Sequence, residues 1–178
     1  MTPLGHAAVA YAASRAIPRC VPLAAVIGGI APDVDFILLP FSFFNEIHRV
    51  VTHNVFFVFA AALAVAAIAR RGRAAVFFAA ILGGLLHLAT DSVLDDNPTN
   101  GIGVALFWPL GDEMYSPFNL AATNEAAPAW DGLASAMRIT WPALAIEAPF
   151  YALAAVLFVV RRGAVAATTS PISSTDKA

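Results

Sequence analysis

Long apolar stretches separated by short polar turns are the feature that most constrains how this chain folds. Five such stretches cover residues 4–17, 21–39, 54–69, 74–94 and 142–160. The chain is 60% hydrophobic and 12% charged, whereas soluble domains carry roughly 25% charged residues. A water-soluble domain of 178 residues cannot bury so much apolar surface, so the pattern predicts a multi-pass membrane protein.

A helical bundle is the predicted fold class, because a helix satisfies its own backbone hydrogen bonds within lipid. We therefore expect an all-α membrane protein of about five apolar helices, with a long outer loop over residues 95–141. Pro32 interrupts the second stretch and predicts that its helix ends or breaks there. Residues 1–162 are expected to form the membrane-embedded domain, and the small polar residues 163–178 a disordered tail.

The distribution of basic residues predicts the orientation of these helices. If the chain alternates through five spans, eight of its ten basic residues fall on one side. They are Arg15, Arg19, Arg70, Arg71, Arg73, Arg161, Arg162 and Lys177. The positive-inside rule makes this side cytoplasmic, so we expect the N-terminus outside and the C-terminus inside.

The side opposite these basic residues collects side chains that bind metal ions. All four histidines and three aspartates near helix ends fall there, giving the candidate metal ligands His6, Asp33, Asp35, His48, His53, His87 and Asp91. A helix presents His87 and Asp91 on one face, because they are four residues apart. Asp33 and Asp35 are two residues apart, and extended or turn backbone after Pro32 would aim both carboxylates at one point.

The two remaining histidines require a break in the chain between them. His48 and His53 are five residues apart and cannot share a helix face well. A break near Thr52, between a short interfacial helix and the third apolar stretch, would let both imidazoles point inward. The sequence therefore predicts a turn at this place.

Imidazole and carboxylate donors without a thiolate match the ligand preferences of zinc, and also of manganese or iron. Seven candidates exceed what one tetrahedral ion needs, so we expect a cluster of two or three ions. Paired ions stabilise the attacking and leaving oxygens of phosphoryl transfer and lower the pKa of bound water to about 7. In this interpretation Asp35 acts as general base. Arg49 either binds the substrate phosphate bidentately or contacts a lipid headgroup.

Other interpretations of the same residues stay open. A single histidine near a helix end is more often a hydrogen-bonded residue than a ligand, although convergence of seven such residues favours a site. The cluster is also compatible with a non-enzymatic metal- or proton-coupled transport or binding protein, or with a regulatory scaffold that needs no metal. Nucleic acid is not an expected partner, because the net charge is -2 and no basic stripe is present. Membrane lipids are the expected surroundings.

The order of the motifs resembles a known family. From the N-terminus the motifs are TPLGH, GGIAPDVDF, HRVVTHN, GGLLHLATD and LFWPL, within roughly residues 1–120. Together they resemble the YdjM-like family of bacterial inner-membrane proteins, described as LexA-binding and as membrane-bound metal-dependent hydrolases. The scattered histidines and aspartates are also similar, more loosely, to the trinuclear zinc site of bacterial phospholipase C and the related single-strand nucleases.

The resemblance implies an inner-membrane location and metal binding by the seven candidate residues. Combined with the positive-inside pattern, it predicts a metal centre on the outer side of the membrane. The expected function is metal-dependent hydrolysis, most simply of a phosphoester in a lipid or lipid-linked substrate.

Overall fold

The computed structural model describes residues 1–38, 40–94, 103–117 and 133–169. Its elements are α1 (Pro3–Ala16), α2 (Pro22–Ile30), a 3-10 helix (Pro32–Leu38), α3 (Phe44–Ile47), α4 (Val55–Ile68), α5 (Arg73–Val93) and α6 (Leu133–Thr169). Among these residues the only β pairing is an isolated bridge between Val104 and Tyr115. The all-α prediction is therefore confirmed for the described part of the chain.

The expected number of membrane spans was wrong. Within the described residues, two helices are long and apolar enough to cross a bilayer, Arg73–Val93 and Leu144–Arg161. Helices α1 and α4 have 14 residues each, which at 1.5 Å per residue reach about 21 Å, less than the roughly 30 Å of a bilayer core. Because the predicted orientation assumed five spans, it stays a prediction.

The second apolar stretch is divided at the predicted place. Helix α2 ends at Ile30, and a 3-10 helix begins at Pro32, whose ring nitrogen has no hydrogen to donate to the preceding turn. The 3-10 helix buries Asp33 and Asp35 while Val34 and Ile37 are exposed. One apolar stretch thus yields a nine-residue helix and an acidic segment that turns inward.

The predicted outer loop is partly helical. Residues 95–102 and 118–132 of it lie outside the described residues, but α6 already begins at Leu133. It also continues to Thr169, beyond residue 162, where the sequence suggested that the domain ends. Residues 170–178 of the predicted tail lie outside the described residues. The division of the chain into domain and tail stays a prediction.

Glycines allow α2 and α5 to pack with their backbones in contact. A Cβ added to Gly28 would overlap the Ala80 carbonyl oxygen, and one added to Gly83 would overlap the Ala25 carbonyl oxygen. Small residues at helix interfaces permit such an approach. Helix α5 also packs against α1 and α4, so it occupies the centre of the bundle, whereas α6 packs against α1.

The α2–α5 contact predicts that Gly83→Ala destabilises the protein, although alanine is the better helix former. The added methyl group would press on the Ala25 carbonyl, and such overpacking costs about 1–3 kcal/mol. Thermal unfolding of the detergent-purified protein measures the loss. Gly111→Ala is the control, because nothing lies within 4 Å of a Cβ there. Equal stability of the two variants would contradict the close packing.

Candidate metal centre

The structure brings all seven predicted ligand residues into one buried cluster. They come from α1, the 3-10 helix, the turn before α4 and the last turns of α5. Each of these residues is at most 7% exposed. Three groups among them offer ligand atoms close enough to hold an ion: His6, His87 and Asp91; Asp33, His53 and His87; Asp35, His48 and His53.

Four of these side chains form what we call the central subsite: Asp33, His53, His87 and Asp91. Nε2 of His53 lies 3.6 Å from both Asp33 Oδ1 and Asp91 Oδ2. Nε2 of His87 lies 3.8 Å from Asp33 Oδ1 and 3.4 Å from Asp91 Oδ2. Neighbouring ligands of one zinc ion lie about 3.6 Å apart when each bond is about 2.2 Å. These four nitrogen–oxygen separations therefore suit ligands of one shared ion.

The ring nitrogens that face the central subsite have no hydrogen-bond partner. Nε2 of His53 and Nε2 of His87 are buried without one, and so is Oδ2 of Asp33. A buried polar atom left unpaired costs about 1–3 kcal/mol. A cation at the centre would satisfy both ring nitrogens together.

The opposite ring nitrogens of two histidines are held by hydrogen bonds. Nδ1 of His87 donates to the Gly29 carbonyl at 2.7 Å. Nδ1 of His6 lies 3.2 Å from the Thr90 hydroxyl, whose own hydrogen points to the carbonyl of Leu86 or His87. Each Nδ1 therefore carries the hydrogen, and each Nε2 presents its lone pair to the cluster. This is the arrangement that orients metal-binding histidines.

His6 extends the cluster on the far side of Asp91. Its Nε2 lies 3.1 Å from Asp91 Oδ1, and its ring stacks on that of His87 with centroids 3.6 Å apart. The backbone nitrogen of Met1 donates to the same Asp91 oxygen at 2.7 Å. The two oxygens of Asp91 thus face two neighbouring positions, one in the central subsite and one beside His6.

Asp33 and Asp35 do not aim at one point, contrary to the expectation from their spacing. Asp33 faces the central subsite, whereas Asp35 Oδ2 accepts hydrogen bonds from His48 Nδ1 at 3.0 Å and from the Thr52 hydroxyl at 2.9 Å. The backbone is a 3-10 helix rather than an extended segment, and residues two apart on it point in different directions. Asp35 Oδ1 has no hydrogen-bond partner.

Thr52 connects Asp35 to the central subsite. Its hydroxyl oxygen lies 3.0 Å from His53 Nδ1, and because the hydroxyl donates to Asp35, that oxygen accepts from the imidazole. Burial lowers the pKa of His53 well below its usual range. Burial would raise the pKa of Asp35, but hydrogen bonds from His48 and Thr52 and the nearby imidazoles hold it below the usual value. A neutral imidazole beside an ionised carboxylate is the state that binds a cation.

The turn that presents His53 is built by Asn54. Its side-chain oxygen accepts from the Phe57 nitrogen at 2.8 Å and caps α4, and its amide group donates to the carbonyls of Val50 and Val51. The predicted break near Thr52 is therefore observed, between α3 and α4. The hydrogen bonds of Thr52 and Thr90 to the candidate ligands were not predicted from the sequence. The available signal was a hydroxyl residue close to each candidate ligand.

Arg49 lies at the edge of the cluster. It is 3% exposed, and its backbone φ of 65° is in the left-handed region, which costs a non-glycine residue about 1–3 kcal/mol. Its carbonyl accepts a hydrogen bond from the Ala105 nitrogen at 3.1 Å, which ties the loop over residues 103–117 to this turn. Its role in binding phosphate stays a prediction, as does the role of each candidate ligand.

Comparison with known proteins identifies the family. The sequence profile of the YdjM inner membrane protein family matches residues 1–168. The chain belongs to this family. One relative is the inner membrane protein YbcI of Escherichia coli (strain K12), which is 32% identical over 122 residues, covering 64% of this chain and 70% of the relative. No solved structure matches the chain significantly. The family and the relative are inner membrane proteins, in agreement with the two apolar helices long enough to cross a bilayer.

The hydrogen bond between Thr52 and His53 predicts a loss of metal affinity in Thr52→Val. Valine has a similar shape but cannot accept the Nδ1 hydrogen of His53 or donate to Asp35. Removal of a group that orients a ligand typically weakens metal binding by about 10–100-fold. Zinc affinity, measured by competition with a chromogenic chelator, tests this. Thr52→Ser keeps the hydroxyl and should bind like the wild type; a Thr52→Val variant of unchanged affinity would contradict the assignment.

Proposed function

We propose that this protein is a membrane-bound metal-dependent hydrolase that cleaves a phosphoester in a lipid or lipid-linked substrate. One observation carries the proposal: the unpaired Nε2 atoms of His53 and His87 lie 3.4–3.8 Å from the carboxylates of Asp33 and Asp91. These distances are too long for good hydrogen bonds and suit ligands of a shared ion.

The donor set favours zinc, with manganese or iron as alternatives. Imidazole nitrogen and carboxylate oxygen are common ligands of zinc, and the central subsite provides two of each. A second ion would lie beside His6 and the other oxygen of Asp91. A third, at Asp35 and His48, would need Nδ1 of His53, which is already hydrogen-bonded to Thr52. We therefore propose two ions.

The remaining groups supply the other functions of a hydrolase. An ion beside His6 and Asp91 would keep open positions at which it could activate water and polarise the phosphoryl oxygen, whereas the four side chains of the central subsite would fill the positions of a tetrahedral ion. Asp35 receives the proton at Oδ1, the oxygen that has no hydrogen-bond partner. Arg49 holds the substrate phosphate through its planar guanidinium.

A lipid substrate is supported by the apolar side chains around the cluster. Val34 and Ile37 project outward from the 3-10 helix whose acids point inward, and Ile37 is 77% exposed. Phe107 and Leu110 are exposed in the loop that pairs with Arg49, Leu110 by 80%. Exposed apolar side chains on these two segments suit an amphiphile that presents its headgroup to the ions.

Transport is less well supported. Buried polar residues of the described chain lie around the cluster. The exception is Ser14, which lies near the basic end of the bundle, the end that carries Arg15, Arg73 and Arg161. The Ser14 hydroxyl donates to the Tyr11 carbonyl of its own helix. A transporter needs polar groups that continue across the membrane, so the arrangement favours a site over a path.

Removal of central ligands should abolish both metal binding and activity. His87→Ala and Asp91→Ala are expected to lose most of the zinc that elemental analysis finds in the wild type, and phosphodiesterase activity toward bis(4-nitrophenyl) phosphate and phospholipid micelles. Ser14→Ala, a buried polar substitution away from the cluster, should retain both. Metal content that neither ligand substitution changes would refute the proposal.

Arg49→Gln should keep its zinc and raise the KM for the substrate about tenfold or more, because charge-assisted hydrogen bonds contribute about 1.5–3 kcal/mol.

The two ends of the bundle support the outward orientation of the site. Helix α5 begins at Arg73 and carries His87 14 residues later, a separation of about 21 Å along the axis. Arg15 and Arg161 also lie at the basic end, where an Arg161 nitrogen is 3.4 Å from the Arg15 carbonyl. By the positive-inside rule this end is cytoplasmic.

Labelling with a membrane-impermeant maleimide tests the orientation. A Leu110→Cys variant places a thiol on the exposed loop beside the cluster, and the native Cys20, next to Arg19, reports on the basic end. In intact spheroplasts the thiol at position 110 should react, and Cys20 should react only after lysis. The reverse pattern would show that the cluster faces the cytoplasm.

A further inference from the structure

Glu147 is the one buried side chain among those that the structure describes on α6. It is 1% exposed, whereas its neighbours on α6 such as Ile146 and Leu153 are exposed. Burying a carboxyl group is costly unless hydrogen bonds replace those of water. The Glu147 carboxyl group therefore needs hydrogen-bond donors from the protein, and these donors indicate the role of Glu147.

Three donors meet Glu147, and two of them belong to Thr2. The Thr2 backbone nitrogen donates to Oε1 at 2.5 Å, and the Thr2 hydroxyl donates to Oε2 at 2.6 Å. The third donor is the Tyr151 hydroxyl, which donates to Oε2 from one turn further along α6. The same hydroxyl lies 3.0 Å from Thr2 Oγ1. Thr2 is thus held by two side chains of α6.

Thr2 in turn fixes the first turn of α1. Its hydroxyl oxygen accepts from the Gly5 nitrogen at 3.1 Å and caps the helix. Its carbonyl accepts from the His6 nitrogen at 3.0 Å. The preceding residue, Met1, donates its backbone nitrogen to Asp91 Oδ1. Two residues of the metal centre, His6 and Asp91, therefore contact the segment that Glu147 holds.

The position of Gly5 shows how closely Glu147 approaches α1. A Cβ added at Gly5 would overlap the carboxyl group of Glu147, so any larger residue would push α6 away from the start of the helix. Helix α6 packs against α1, and this polar contact is at the end of α1 that carries His6. The geometry makes α6 a support for the metal centre, although none of its described side chains belongs to a candidate ion-binding group.

We infer that Glu147 and Tyr151 are positioning residues of the metal centre, which act through Thr2 to place His6 and Asp91. The inference rests on the proposed metal-binding function. Glu147 belongs to none of the three candidate ion-binding groups. It holds the first turn of α1 in the register that directs Nε2 of His6 toward Asp91.

Zinc affinity of four variants tests the inference. Glu147→Gln cannot accept from all three donors, and Thr2→Val lacks the hydroxyl, so both should weaken binding at the position beside His6 by about 10–100-fold, as expected for loss of a ligand's support. Thr2→Ser keeps the hydroxyl and should restore the wild-type affinity. Ile146→Ala, on the exposed face of α6, is the matched control and should bind like the wild type.

A double-mutant cycle distinguishes positioning from general stability. If Glu147 acts through His6, Glu147→Gln should cause little further loss of zinc affinity in a His6→Ala background, because coupled residues are not additive. Full additivity, or wild-type affinity in Glu147→Gln, would overturn the inference.

Hydrogen exchange of the metal-free protein separates failure of this inference from failure of the proposed function. The amides of Gly5 and His6 should exchange faster in Glu147→Gln than in wild type, because their acceptors on Thr2 are released. If the wild type binds none of zinc, manganese and iron, the proposed function fails, and Glu147 is then no positioning residue of a metal centre. If zinc binds but the exchange of these amides is unchanged, the positioning role alone is overturned.

Discussion

The contact between α2 and α5 is the constraint on which the candidate metal centre depends. Glycines let the two backbones touch, so the end of α2 lies beside the last turns of α5. The carbonyl of Gly29 belongs to the final turn of α2, where carbonyls have no partner within the helix, and it accepts the Nδ1 hydrogen of His87. The chain then enters the 3-10 helix and brings Asp33 to the same place. Close helix packing, histidine orientation and carboxylate position are therefore consequences of one interface.

The ability of the buried cluster to bind a cation follows from its unpaired hydrogen-bonding atoms. Several imidazole and carboxylate atoms are buried without partners, whereas the opposite ring nitrogens of His6, His53 and His87 contact hydroxyl or carbonyl groups at 2.7–3.2 Å. A structural role alone would favour pairing both sides of each ring, because unpaired buried atoms are costly. The one-sided pairing favours a cation at the centre. The chain belongs to a family of inner membrane proteins. The exposed apolar side chains beside the cluster link the candidate cation site to that membrane environment.

Local sequence patterns predicted the residues of the cluster better than they predicted the arrangement of the helices. The four-residue spacing of His87 and Asp91 places Nε2 and Oδ2 3.4 Å apart, and the breaks near Pro32 and Thr52 follow from residues at those positions. The number of spans was wrong because hydropathy measures composition, and Pro32 divides one long apolar stretch into segments too short to cross a bilayer. The contact of Thr2 with Glu147 joins residues 145 positions apart, and one sequence contains no local signal for such a pair.

The two faces of the 3-10 helix determine which insertions, deletions and substitutions the protein tolerates there. Carboxylates occupy its inner face and aliphatic side chains its outer face. In a helix of three residues per turn, each inserted or deleted residue rotates everything that follows by about 120°. A single-residue insertion there would turn an acid outward and an aliphatic side chain into the buried cluster. The length of the segment between Pro32 and Leu38 is therefore fixed more strictly than the identity of its outward side chains, which any apolar residue can fill.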